Sequence, residues 1–224
     1  MCGRYVFFTP DEYEEYREVL RKIARSLKAG IGIKVPSGDV HPGGEIFPTN
    51  TVPVIPSVNS VEDLPDESFD PAKLMVWGFP LNQKSSQKII NARSETLESK
   101  FMFRRCLESK RCIVPAKGFF EWKTQEKKKI KTYIRIPGQE AMYIAGLYDE
   151  FELPGKGKVF CYTIITTQAS HQVSLIHDRM PAILEERHLG LWLNDQIFAR
   201  YRSHMNKILL PYEGQLEFIP AQAG

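Results

Sequence analysis

The sequence predicts an α+β protein. One domain is expected over residues 1–224, built on a curled, barrel-like and mostly antiparallel sheet with flanking helices. Three observations predict it. Hydrophobic residues make up 42% and aromatic residues 11% of the 224 positions, enough for one well-packed core. Strand-like runs separated by turn residues dominate the middle of the chain. Helical periodicity is confined to the start, one crossover and a stretch near the end.

The elements follow in order. A helix is expected over residues 10–27: Thr9 and Glu12 form a capping-box pattern, and Pro10 sits where its missing N–H costs nothing. Tyr13, Tyr16, Val19, Leu20, Ile23 and Leu27 recur on one face, and Gly30 is the expected stop. Residues 30–48 read as a Gly- and Pro-rich loop. Residues 51–58 read as a strand that its prolines confine to a sheet edge. An acidic loop at 61–71 precedes a buried strand at 72–79 (AKLMVWGF). The polar loop LNQKSSQK leads to a short strand at 89–91, and Ser94 is expected to cap a helix ending near Lys110. RCIVPAKGFFEWK, KTYIRI, AMYIAGLYDEF and KVFCYTIITTQA then read as strands. A helix over 185–193 and a last strand, LEFIPA, close the chain. No repeat or convincing linker interrupts it.

Composition narrows the function classes. Charged residues are 25% and the net charge is +3, so the chain is neither disordered nor polybasic. A nucleic-acid partner would need the positive charge gathered in a groove. Four cysteines, Cys2, Cys106, Cys112 and Cys161, form no CxxC pair and no secretory spacing, so neither a disulfide framework nor a zinc ribbon is expected. No signal peptide and no apolar run of about 20 residues is present. The expected setting is cytoplasmic, with no membrane partner, no metal and no cofactor, and the chain acting as a monomer.

Four residues suit chemistry. Removal of Met1 would leave Cys2 with an α-amine titrating near about 8 and a thiol near about 8.5. An amine and a thiol two carbons apart convert an aldehyde first to an imine and then to a five-membered thiazolidine. The competing reading is a cysteine buried by chance in the first strand. Glu121 lies in GFFEWK among three aromatic rings, where burial would raise its pKa and suit it to carry protons; a half-exposed glutamate paired with a lysine is the alternative. His177, in SLIHDRMP, can exchange protons near neutral pH, or sit solvated in a loop. Asn91 opens NARSET and offers a two-sided amide, or stabilises its own turn. Arg4, Arg93 and Arg179 suit phosphate oxygens, and Trp77 and Trp122, with Phe79 and Phe119, offer flat faces for bases. Salt bridges and core packing are the respective alternatives. Arg104, Arg105, Lys110 and Arg111 read as the outer face of the second helix.

Taken in order, MCGRY, the PTN–PVI stretch from Pro48, WGF at Trp77, INARSET from Ile90, GFFEWK and IHDRMP resemble the SOS-response-associated peptidase (SRAP) family, the abasic-site-processing proteins. The six segments span residues 1 to about 181. The resemblance implies a compact α+β fold with a barrel-like sheet and a basic groove for single-stranded DNA containing abasic sites. It implies a thiazolidine between Cys2 and the ring-opened abasic sugar, and the family name records a proposed self-cleavage of Met1; the imine chemistry itself would allow an abasic-site lyase side reaction by β-elimination, and the same proton carriers would allow reversal of the crosslink. By position Asn91, Glu121 and His177 match the family's active-site polar residues, and Arg4, Arg93 and Arg179 its phosphate-contacting arginines. Two departures stand out: Glu45 occupies a place near which many members carry Asn, and the chain stops soon after LEFIPA. Two other function classes remain open: a cysteine-type peptidase acting on proteins, and a non-covalent single-strand-binding module.

Overall fold

The computed structural model describes residues 2–27, 41–59, 72–82, 86–126, 128–155 and 157–221. The expected stop at Gly30 and the acidic loop at 61–71 lie outside them, as does Met1. Five strands close into a barrel in the order Lys73–Trp77, Thr51–Pro56, Arg111–Ala116, Met142–Leu153 and Gly157–Gln168, the last returning to Lys73–Trp77 by parallel pairing of Cys161 with Val76. A second sheet runs Glu217–Pro220, Lys128–Arg135, Gly118–Gln125, Arg4–Phe7 and Gly44–Ile46, all antiparallel. The predicted fold class is observed. Closure removes the open edges that a curled sheet of this length would expose.

The chain passes from barrel to second sheet at Gly118. A Cβ there would stand 2.5 Å from the Ile134 carbonyl oxygen, so only glycine lets the neighbouring strand approach. That close approach fixes the strand carrying Glu121. The first helix has the expected form, with a 3-10 turn Pro10–Glu12 leading into Tyr13–Leu27. The Thr9 N–H donates to the Glu12 carboxylate at 2.9 Å, and Tyr16, Val19, Leu20, Ile23 and Leu27 are buried.

Three expectations need correction. The expected loop contains the strand Gly44–Ile46, which pairs with Arg4–Phe7; three residues held by a distant partner carry no periodicity of their own. Thr51–Pro56 is a barrel strand and not an edge. It engages its two neighbours with different parts, Thr51–Val54 with Lys73–Val76 and Ile55–Pro56 with Cys112–Ile113, so at each proline one side carries no ladder bond. The second helix is split into a 3-10 turn, Ser94–Thr96, and a helix, Phe101–Ser109, and Ser94 does not cap it. Thr96 Oγ1 bonds the Arg93 carbonyl and Ser99 Oγ the Thr96 carbonyl, each at 3.2 Å, and such local side-chain bonds compete with the helical ladder.

The strand at 72–79 ends at Trp77, because Gly78 takes a positive φ of 109° that side chains resist. The C-terminal region holds Glu186–Leu193 as expected, together with the unforeseen helix Asp195–Tyr201, capped by Asn194. Arg111 belongs to the barrel and not to the helix surface: its side chain is wholly buried.

Candidate active site

Both sheets contribute to one site around the start of the chain. The register sets Arg4 opposite Phe120 and Tyr5 opposite Phe119. Glu121 therefore lies one step past the paired residues, beside the first residues of the chain. Alternation along the strand gives it the side of Phe119, and the two are 2% and 0% exposed. Burial raises the Glu121 carboxyl above the usual carboxylate range, with the charge of His177 among the groups opposing it.

Cys2 is fully enclosed. Its Sγ is a weak donor to the Arg4 carbonyl at 3.7 Å, and its own carbonyl accepts from Asn91 Nδ2 at 2.9 Å. Burial pushes its thiol pKa up and the Glu121 charge adds to the shift, so the sulfur stays protonated at neutral pH. Asn91 comes from the barrel side, in the strand Asn91–Arg93 that runs parallel to Gly157–Gln168. Its Oδ1 is buried and has no hydrogen-bond partner among the described residues, leaving an acceptor beside the Cys2 backbone.

His177 follows the short helix His171–Ser174, whose cap, Ser170, accepts from the Val173 N–H at 3.4 Å. Its Nδ1 accepts from the Arg179 N–H at 3.0 Å and also stands 2.8 Å from Asp178 Oδ1. One nitrogen cannot accept from the first and donate to the second at once. The Asp178 side chain is 85% exposed, whereas Arg179 is fixed in the strand Arg179–Pro181. We assign the Arg179 bond to the resting ring, which puts the proton on Nε2. Asn91 is thus linked to Cys2 by a hydrogen bond and Cys2 to Glu121 by electrostatics, while His177 acts on the Glu121 charge only when its ring is protonated.

The other sequence candidates separate. Trp77 is fully buried; its Nε1 donates to the Ile90 carbonyl at 3.0 Å and its ring packs between Tyr5 and Tyr162. It is core and offers no face to a base, and Phe79 and Phe119, both fully buried, offer none either. Trp122 is part-exposed, with the Arg4 guanidinium 5.4 Å from its ring centroid. Arg93 is exposed. Arg179 is 9% exposed and holds Glu95 with both ends of its fork, at 2.6 and 3.0 Å, while also donating to the Thr166 carbonyl. A phosphate would have to displace Glu95 to reach it.

Sequence reading missed the buried pair Tyr5 and Tyr162, whose hydroxyls lie 2.6 Å apart within electrostatic reach of Cys2. No spacing signal announces two tyrosines so far apart in the chain. It flagged Glu45 without its partners: Arg4 Nη1 at 2.8 Å and Lys131 Nζ at 2.5 Å. Burial alone would raise the Glu45 pKa, but the Lys131 and Arg4 hydrogen bonds outweigh it and hold the carboxyl below its usual value. Among the described residues no group of three or more His, Cys, Asp or Glu side chains is placed to hold a metal ion, and no helix is long and apolar enough to cross a membrane.

The model of the SOS response associated peptidase (SRAP) family matches residues 1–223. The chain belongs to the SRAP family. Its relatives include the abasic site processing protein YoqW of Bacillus subtilis strain 168, 33% identical over 218 residues that cover 95% of this chain and 88% of YoqW. The abasic site processing protein HMCES of Xenopus tropicalis is 33% identical over 228 residues, covering 87% of this chain and 66% of HMCES. Among solved structures, a protein from Bacteroides thetaiotaomicron superposes with a TM-score of 0.74 at 21% identity, covering 99% of this chain and 92% of that one. One from Bordetella bronchiseptica gives 0.71 at 21% identity, covering 99% of this chain and all of that one. These two share the fold of this SRAP chain.

Proposed function

We propose that this chain recognises abasic sites in single-stranded DNA and captures them covalently through Cys2 once Met1 is removed. The observation that carries the reading is the Asn91 hydrogen bond to the Cys2 carbonyl, which fixes an otherwise terminal residue beside a buried carboxyl. The abasic site processing relatives named above supply the substrate class. The proposed unit is a one-domain monomer.

In the proposed sequence the Cys2 amine, its N–H held toward Asn91 Oδ1, attacks the sugar aldehyde at C1′. His177 Nε2 moves the proton needed for sugar ring opening. The Glu121 carboxyl protonates the carbinolamine hydroxyl, which leaves as water, and an iminium forms. The Cys2 sulfur then bonds to C1′ and gives its proton to the Glu121 carboxylate, closing the thiazolidine. The net change is loss of one water. Loss of the 3′ phosphate by β-elimination at the iminium stage would be the lyase side reaction, and the same proton carriers would serve reversal. An enclosed thiol whose pKa is raised by burial, and whose Sγ donates to a backbone carbonyl, weighs against a cysteine-type peptidase, whose nucleophile is activated by a lowered pKa or by an adjacent base.

The test mixes protein shown by intact mass to begin at Cys2 with an oligonucleotide carrying one abasic site. A denaturing gel and intact-mass measurement follow, with undamaged DNA and Cys2→Ala alongside. The expected adduct has the summed mass less one water, and neither control gives it. Protein beginning at Cys2 that yields no adduct would falsify the reading.

Glu45 gives a second expectation. Its carboxylate holds Arg4 and Lys131, two cations suited to phosphate, with Phe47 4.2 Å under the Arg4 guanidinium and Phe120 4.1 Å from the Lys131 ammonium. Glu45→Gln should release both cations to DNA. Affinity for undamaged single strands should rise by about three- to tenfold at 50 mM salt. The slope of log K against log salt should steepen by about 0.7 for each phosphate gained. Anisotropy titrations between 50 and 200 mM salt check this; unchanged affinity and slope would place the DNA path elsewhere.

A further inference from the structure

A cavity of about 730 Å³ lies between the barrel and the C-terminal segment, and Cys2, Asn91, Glu121 and His177 are not among its lining residues. Its volume is that of a small-molecule site. The floor is apolar and rests on barrel pairing: Tyr143 is set opposite Leu184 and Ile144 opposite Ile183. Met142, Tyr143, Ile183, Leu184 and Ile208 line it and are all buried. Tyr212 adds a second, half-buried ring. The wall at residues 211–214 is pinned from behind by Gln172, whose Nε2 donates to the Gly214 carbonyl at 2.9 Å and whose Oε1 accepts from the Leu216 N–H at 3.2 Å. A wall held by such bonds exists before any ligand arrives.

The charged side chains of the lining are exposed and form its rim: Glu185, Glu186 and Glu213 against Arg187 and Lys207. Arg187 donates to Glu185 at 2.9 Å, which leaves Glu186 and Glu213 against one lysine. Burial, helped by the Arg187 charge, lowers the His188 pKa, so that ring is neutral at pH 7 and the rim keeps an excess of negative charge. Burial, with the Glu186 charge second, raises the Tyr143 pKa, so the floor presents a neutral phenol within reach of that carboxylate. An anionic ligand would meet two carboxylates here. A cationic one gains their attraction and the faces of the two tyrosine rings. We propose that this cavity binds an organic cation, an ammonium on an apolar body, with the body on the Met142–Ile183 floor and the ammonium at Glu186 and Glu213. The site stands apart from the proposed capture of abasic DNA and does not depend on it.

The experiment titrates the full chain at low salt with three probes that share an indole body: tryptamine (cationic), indole-3-ethanol (neutral) and indole-3-acetate (anionic). Calorimetry should show tryptamine binding about five- to tenfold more tightly than indole-3-ethanol, with indole-3-acetate weakest. Intermolecular NOEs should run from tryptamine to the Ile183 and Ile208 methyl groups. Glu186→Gln combined with Glu213→Gln, both at exposed positions, should abolish the preference for the cation while leaving the indole-3-ethanol affinity unchanged. Tyr212→Ala should weaken all three probes. Thermal melts check that the variants are folded, and the paired glutamine variant carries the test if Tyr212→Ala is not. No measurable binding of tryptamine, equal affinity for the three probes, or NOEs confined to other methyl groups would overturn the proposal. So would a preference for the cation that survives loss of both carboxylates.

Discussion

Arg111→Leu is expected to destabilise the fold by about 3–5 kcal/mol, the cost of breaking a buried ion pair from one side. The guanidinium is fully enclosed. Nε donates to the Trp192 carbonyl at 2.7 Å, Nη1 to the Leu107 and Glu108 carbonyls at 2.9 and 2.8 Å, and Nη2 to Asp195 Oδ1 at 2.5 Å. Phe198 stacks under it at 3.8 Å. Burial pulls its pKa down to about 10, with Asp195 opposing, so it remains charged at neutral pH. Leucine would strand three carbonyls and a carboxylate only 13% exposed. Lysine would not rescue, since one ammonium cannot span the fork. Urea unfolding measures the loss, and Arg111→Leu combined with Asp195→Leu should recover part of it. A single-variant loss below about 1 kcal/mol would show that the barrel relaxes around the missing charge.

Glu121→Gln should act on rate and stability in opposite directions. A carrier that moves a proton in the slow step contributes about 10²–10⁴-fold, and the amide cannot replace it, so single-turnover adduct formation should fall by that order. Stability should rise at neutral pH. The Glu121 pKa is raised in the folded state by burial, so the native protein binds this proton more tightly than the unfolded chain does. Its favourable contribution is complete below the unfolded value of about 4.3 and is lost as pH rises through the folded value. Wild type and Glu121→Gln should therefore melt at similar temperatures near pH 4, and the variant should melt higher at pH 8. A lower melting temperature for the variant at pH 8 would mean that the carboxylate is well solvated by its neighbours. Such a trade of stability for function is common at reactive sites.

The parts of this architecture visible in the sequence are those set by local chemistry. The first helix announced itself because six apolar residues share one face behind a capping box, and Glu121 because a carboxylate among aromatics on a strand must turn either inward or outward. What escaped depends on distant partners. Trp77 has the same sequence appearance whether its indole meets a base or the Ile90 carbonyl. Arg179 suits a phosphate until Glu95, 84 positions away, is seen to fill its fork. Arg111 adjoins exposed basic residues, and nothing local distinguishes it as the cation the barrel encloses. The short strand Gly44–Ile46 exists because Arg4–Phe7 lies beside it.

That first strand also sets an order of events during synthesis. Arg4–Phe7 is flanked by Gly44–Ile46 on one side and by Gly118–Gln125 on the other. The first neighbour is translated soon after it; the second follows more than a hundred residues later. At about 5–20 residues per second, the nascent amino terminus waits several seconds before its second partner leaves the ribosome. Until then Cys2 lacks its enclosing wall, and the residues ahead of Arg4 remain open to solvent. Translation slowed between the first and third strands of this sheet would lengthen that interval, and rapid refolding of the finished polypeptide would shorten it.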